Sequence, residues 1–313
     1  MLISGGFLIS GGVSVIQPPP PPQAAVWIGG GISESRIDRI TISSDTNTAS
    51  VRGPLAAAAR YVVATGNTTN GWFSGSLGGQ SRVERITFSS DTGAASIRGP
   101  LAGGTYNMQG ALSSSTSAYF AGGVVGSSVV NRINFATDTA TATLVGPLSI
   151  TVGAGAGVSD TTTFGWFGGG VTLSPFIIRS MVNRITYASD TTTTTVRGPL
   201  STGRQRFAAS FNSSFGWFAG GFTDGSQQLS SINRLSYAND TAVAAVRGSL
   251  DTNRLDHAAG GNPTVGYFGG GYLPGVTTSS VTKITYATDT ATSVIVGPRS
   301  IASRQIGGTS GNF

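Results

Sequence analysis

A closed all-β ring of six four-stranded units is what this sequence predicts, and three observations predict it. One block recurs six times. In its fullest copy Phe164-Gly165-Trp166-Phe167-Gly168-Gly169-Gly170 is followed by Val182-Asn183-Arg184-Ile185-Thr186-Tyr187-Ala188-Ser189-Asp190-Thr191 and then by Val196-Arg197-Gly198-Pro199-Leu200. The acidic landmarks Asp45, Asp91, Asp138, Asp190, Asp240 and Asp289 are spaced 46, 47, 52, 50 and 49 residues apart, the length of one blade of a β-propeller. The composition suits short strands and tight turns rather than helices, with 47 glycines and only 10% charged residues. The expectation is an all-β, six-bladed propeller over residues 23–313, preceded by an extended N-terminal segment.

That segment has two parts. Residues 1–17 form an apolar, Gly-rich head carrying Leu2, Ile3, Phe7, Leu8, Ile9, Val13, Val15 and Ile16. It lacks the basic start of a secretory signal, and with four glycines in 17 residues it is a poor membrane span. Synthesis in the cytoplasm without signal-directed export is therefore expected. Residues 18–22 are five prolines, which favour a polyproline II rod and act as a spacer. Two readings of the head are open: an anchor that buries its apolar side chains on another protein, or a dispensable leader.

Within each unit, strand b is centred on Trp27, Trp72, Tyr119, Trp166, Trp217 and Tyr267, read as core aromatics packed between blades. Strand c alternates around Arg39-Ile40-Thr41-Ile42 and its equivalents, ending at Ile42, Phe88, Phe135, Tyr187, Tyr237 and Tyr286. The Asp-Thr pair that follows suits a turn in which the short polar side chain bonds its own backbone. Strand d then runs to Val-Arg-Gly-Pro-Leu or a variant. Strand a is the weakest signal, placed at Arg60 to Thr65, Arg206 to Ser210 and Arg304 to Gly308. The chain ends on a strand a that lacks its strand b, and the first repeat begins with strand b. One blade should therefore be assembled from both ends, which removes the open edges of an unclosed array.

Lys283 is the one lysine, and the formal net charge is +6. A mildly basic surface serves solubility or draws the protein to an anionic surface. The arginines are spread over the blades rather than gathered into a run with exposed aromatics, which argues against nucleic acid. Cysteine is absent, so stability must come from packing and the redox compartment stays open.

The strand order, the apolar pair before a glycine doublet and the basic residue opening strand a resemble the kelch class of β-propeller. Strand d departs from that pattern: the kelch tryptophan is missing and Val-Arg-Gly-Pro-Leu stands there. The wording Gly-Trp-Phe-Gly-Gly-Gly, Val-Asn-Arg-Ile-Thr-Tyr-Ala-Ser-Asp-Thr and Val-Arg-Gly-Pro-Leu resembles repeats in structural proteins of marine bacteriophages, especially cyanophages. The resemblance implies a virion protein of the tail, a fibre or appendage serving assembly or host-surface attachment. It would be present in multiple copies, held to other virion proteins through residues 1–17, and in contact with host surface polysaccharide. A capsid decoration protein and an envelope-polysaccharide depolymerase are the alternatives.

No enzymatic site, cofactor or metal is expected. The six repeated aspartates are too far apart around a ring to converge on one Ca²⁺. The strand c bases Arg39, Arg85, Arg132, Arg184, Arg234 and Lys283 are read as partners for that acid or for turn carbonyls. His257, the one histidine, is read as a surface turn residue, and the non-repeated acids lie on several blades rather than forming the pair a glycosidase requires.

The informative departures are the b–c loops. From the equivalent glycine to the strand c base they span 9, 10 and 10 residues in the first three units, then 15, 14 and 13 in the last three. These loops share a face with the d–a connections, so Arg60, Arg204, Arg206, Arg254 and Arg304 should crowd one surface beside them. Leu173, Pro175, Phe176, Ile177, Gln227, Leu229, Tyr272 and Leu273 make a candidate contact patch, although Ile177 and Ile178 could instead extend strand c.

Overall fold

The computed structural model describes residues 24–76, 81–103, 110–123 and 127–311. The predicted anchor side chains, Leu2 to Ile16, and the proline spacer lie outside the described residues. The chain is a six-bladed β-propeller. Each blade is a four-stranded antiparallel sheet in the order a-b-c-d. From the second blade onward the sheets begin at Arg60–Gly66, Gly110–Ser113, Ala156–Ser159, Ala208–Phe211 and Ala258–Gly261. The first blade is composite. Its inner strand is Gly307–Ser310, from the C-terminal end, which pairs Val26 with Ser310 and Gly29 with Gly307 before Ile37–Thr41 and Ser50–Arg52 complete the sheet. The inner strands touch in cyclic order around the axis, and the last touches the first.

Three local expectations need correction. Strand c stops one residue early: Ile42, Phe88, Phe135, Tyr187, Tyr237 and Tyr286 open 3-10 turns instead. In blades 5 and 1 the inner strand starts later than predicted, at Ala208 and Gly307, because Arg206 and Gln305 adopt left-handed φ of 59° and 61°. The repeated aspartate side chain does not bond its own turn; it crosses to the preceding blade.

That crossing explains most of the repeat. Asp240 Oδ2 of blade 5 accepts from Trp166 Nε1 at 2.8 Å and from Arg184 Nη1 at 3.0 Å, with Arg197 Nε at 3.4 Å, all three from blade 4. Asp91, Asp138 and Asp289 repeat the arrangement with Trp27, Trp72 and Trp217. Asp190 and Asp45 receive Tyr119 and Tyr267 hydroxyls at 2.9 and 2.7 Å, together with Arg132 and Lys283. Asp45 thereby fastens the last blade to the first. Each strand b tryptophan stacks on the aromatic that opens the next blade's 3-10 turn; Trp166 and Tyr237 lie 4.2 Å apart at 4°. All four tryptophans are buried.

The Gly-Pro-Leu end of the block is equally structural. Gly198 N donates to the Asp240 carbonyl at 2.8 Å, and a Cβ at Gly198 would sit 2.0 Å from the Ala242 carbonyl oxygen, so no other residue fits. Pro199 O accepts from Ala244 N, and Leu200 is buried. Nearer the b–c loops, the residue before the strand c base makes a second fastening. Asn131 accepts from Ala102 N, Asn183 from Ser149 N and Asn233 from Ser201 N of the preceding blade. At the closing seam this position is Asp38, which meets Arg299 at 3.0 Å with both side chains fully buried. No helix among the described residues is long and apolar enough to cross a membrane.

Candidate functional site: the channel mouth

Once the seams account for the shared residues, the face carrying the b–c loops holds what differs between blades. In blade 4 the long loop folds into its own hairpin, Val171–Leu173 against Phe176–Ile178, rather than extending strand c, which begins at Val182. Blade 6 makes a shorter one, Tyr272–Leu273 against Val276–Thr277, and blade 5 bridges Phe222 to Gln228. These loops lean over the start of strand a in their own blades through the bridges Gly153–Val171, Gln205–Phe222 and Leu255–Tyr272. The rim of blades 4 to 6 therefore rises beside the axis. Leu173, Pro175, Phe176 and Gln227 are exposed, whereas Ile177, Leu229, Tyr272 and Leu273 are half-buried.

Beneath this rim the entrance to strand a is built alike in five blades. Tyr61, Ala154, Arg206, Asp256 and Gln305 all have φ between 54° and 61°, a conformation that costs most side chains energy and persists only where the surroundings enforce it. Here a belt of backbone hydrogen bonds enforces it. Arg206 N donates to Ala154 O at 2.6 Å, Asp256 N to Arg206 O at 2.8 Å and Gln305 N to Asp256 O at 2.8 Å, and Val62 N closes on Gln305 O at 3.1 Å. The sequence offered no signal for it, because a φ imposed by neighbouring blades leaves no preferred residue type.

The side chains at this level are diverse. Arg206 donates from Nε to Asp256 Oδ1 at 2.7 Å and from Nη2 to Asp256 Oδ2. Burial lowers the affinity of the Arg206 guanidinium for its proton, but the bonds and charge of Asp256 outweigh burial and hold it protonated. Arg60 lies over the Tyr61 ring and Arg304 over the Tyr272 ring. A cleft of about 190 Å³ is lined by Tyr61, Leu173, Phe176, Gln205 and Arg206. A smaller cavity of about 70 Å³ shares Tyr61, Ala154 and Arg206 with it and reaches Gln305 and Asp256. Further down, the axis is lined by small residues such as Ala64, Ala111, Gly157 and Gly308.

Three expected surface residues are not at the surface. Arg204 and Arg254 are fully buried. Arg204 Nη1 donates to the carbonyls of Gly220 and Ser231, and Arg254 Nη1 to those of Gly270 and Ser280, so these arginines tie d–a connections to b–c loops. Burial pushes Arg204 down to about 10. His257 is likewise interior, because it occupies the strand a position held by Phe207 and Ile306 in neighbouring blades. It packs against Phe268, and burial together with Arg254 lowers it well below the usual histidine range, so it is neutral. Among the described residues, no three His, Asp or Glu side chains group where they could hold a metal ion. The strand c bases pair with the acid of the next blade rather than with their own.

No protein-family model matches the chain, and no curated protein matches it. Among solved structures, YjhT superposes with a TM-score of 0.64 at 8% identity, covering 79% of this chain and 86% of its own. At that identity the likeness shows the propeller fold alone.

Proposed function

We propose that the chain is a non-enzymatic structural component of a bacteriophage virion, a rigid disc carried on the tail that presents its channel-mouth face to the host surface. The observation that carries this reading is the polarity of the disc. Ala25 pairs with Thr41, at the end of strand c next to the Asp45 turn, so residue 24 enters on the c–d-turn face. The long loops rise from the opposite face. A segment attached at residue 24 can therefore be fixed to a particle while the loop-rich face points away from it, and the backbone is not required to move. The wording of the repeat, similar to that of marine phage structural proteins, supplies the virion part of the reading. The apolar side chains of residues 1–17 supply the attachment to another virion protein, each contributing about 1.5–3 kcal/mol when buried, before ordering costs.

The test is incorporation. A tagged full-length chain produced in cells assembling such particles is expected in the particle band of a density gradient. A version lacking residues 1–17 is expected to fold and to remain in the soluble fraction. Finding the full-length chain only in the soluble fraction overturns the virion assignment, and finding the shortened chain on particles at normal copy number overturns the anchor.

A further inference from the structure

We propose that the cleft between Tyr61 and the blade 4 hairpin binds one neutral sugar unit, a pyranose ring presenting adjacent hydroxyls. The proposal rests on reading the channel-mouth face as the contact surface and names what that face recognises. Four observations point to the ligand class. The cleft takes aromatic rings from two blades, Tyr61 from blade 2 and Phe176 from blade 4, the latter 59% exposed although it is a large apolar side chain. Aromatic faces of this kind suit the C–H face of a sugar ring, which is apolar, while its edge carries the hydroxyls. The charged side chain lining the cleft is Arg206, and its partner Asp256 lines the adjoining smaller cavity. Asp256 engages Nε and Nη2 of the guanidinium, which fixes the fork and leaves Nη1 without a hydrogen bond among the described residues. A fixed donor on the wall of the cleft matches one hydroxyl of a diol, and an acceptor for its neighbour lies deeper, at Gln305.

The pair is also neutral as a unit, so it offers no net attraction to a carboxylated sugar. Gln305, 8% exposed, has its Oε1 buried without a partner and lines the adjoining 70 Å³ cavity. An unpaired buried acceptor costs free energy until a donor reaches it, and a hydroxyl projecting from the cleft is such a donor. At about 190 Å³ the cleft is smaller than the 300–1,000 Å³ typical of sites that enclose drug-sized ligands. It therefore takes a single ring, either a free monosaccharide or the terminal unit of a glycan.

The experiment is saturation-transfer NMR and titration calorimetry on the full-length chain. The probes are the methyl glycosides of glucose, galactose and mannose, methyl glucuronoside as the charged control, and an oligosaccharide ending in whichever unit binds. At least one neutral glycoside is expected to bind, more tightly than the glucuronoside. Phe176→Ala and Arg206→Lys are each expected to weaken it by roughly tenfold with the melting temperature unchanged, and Val243→Ser, exposed beside the Asp240 turn on the opposite face, is expected to leave it alone. If Arg206→Lys does not fold, Phe176→Ala decides. Equal affinity for the oligosaccharide places the site on chain termini, and loss of it restricts the site to free sugars. Absence of transfer from every neutral glycoside, preference for the glucuronoside, or binding indifferent to Phe176→Ala overturns the proposal. Incorporation into particles is measured separately, so a failure here leaves the virion reading standing.

Discussion

The seams between blades and the mouth of the channel both recur from blade to blade, and they vary in opposite ways. At the seams two of the side chains, on strands b and d, change as a matched set. Where strand b carries Trp27, Trp72, Trp166 or Trp217, strand d carries Arg52, Arg98, Arg197 or Arg247 against the same carboxylate. Where strand b carries Tyr119 or Tyr267, strand d carries Val145 or Val296, which pack beside those tyrosines. At the mouth the backbone is constant and the side chains are not: Tyr61, Ala154, Arg206, Asp256 and Gln305 share one left-handed conformation and no common chemistry. Concerted variation marks side chains that hold the ring. Free variation on a fixed backbone marks side chains available for contact.

The most severe way to break the seams is to remove the strand that closes them. Deleting residues 305–313 takes away Gly307–Ser310 and leaves strand b around Trp27 unpaired on its inner side. Loss of most cooperative unfolding is expected in a thermal or denaturant melt. An unchanged midpoint and sharpness would show that closure by the C-terminal strand is not what holds the ring.

A single seam should then be costly but survivable. Asp240→Ala leaves Trp166 Nε1, Arg184 and Arg197 facing a vacated position. Removing one partner of a buried ionic cluster costs about 3–5 kcal/mol, and Trp166→Ala should cost about as much as a core truncation. Denaturant titration measures both, and a loss under about 1 kcal/mol for either would mean that the clasp is ornamental.

The matched variation yields a sharper measurement. Trp217→Tyr and Arg247→Val should each destabilise blade 5, and the double variant should be better than the sum of the two by about 1 kcal/mol, the scale of coupling between contacting residues. Strict additivity would make the Trp–Arg and Tyr–Val pairing a coincidence of six copies.

Much of the ring is legible in the amino-acid sequence alone, and the reason is specific. Blade length, the composite first blade and the burial of the strand b aromatics follow from periodicity, since six copies of one pattern report on one local environment. The partner of the repeated aspartate is not legible, because a turn acid that bonds its own backbone and one that crosses to another blade have the same sequence. His257 is misplaced for a related reason. Its neighbours Arg254 and Asp256 suggest a polar turn, yet strand alternation places His257 with Phe207 and Ile306 in the core. The cleft is half visible: Leu173 and Phe176 stand out as apolar residues in a long loop and Arg206 is expected on the same face beside them, whereas Tyr61 joins them only through ring closure.

His257 also supplies a pH test of that boundary between core and mouth. Its folded-state affinity for protons is lowered by burial and then by Arg254, so below the ordinary histidine value of about 6.5 the unfolded chain takes up a proton that the folded chain refuses. Stability should therefore fall as pH drops below about 6.5, through this group alone. His257→Phe, which copies Phe207, should remove that part of the dependence, read as the difference between the two proteins' denaturant midpoints across pH 7 to 5. A difference that does not change with pH would mean that His257 titrates normally and is open to solvent.

The smallest effect is expected on the rim, and its smallness is the point. Leu273 and Val276 stand on the blade 6 hairpin, which is tied to the start of strand a through Tyr272 and Leu255 rather than through either of these two side chains. Val276 is 55% exposed, and neither residue belongs to a buried cluster between blades. Leu273→Ser and Val276→Ser should each change stability by no more than about 0.5 kcal/mol, as surface substitutions do, while altering attachment of the protein to host cells in a binding assay. A loss of 2 kcal/mol or more would place the hairpin inside the fold's own packing. In that case the apolar rim of blades 4 to 6 would be one more fastening of the ring, and the contrast between seam and mouth would reduce to a single structural theme.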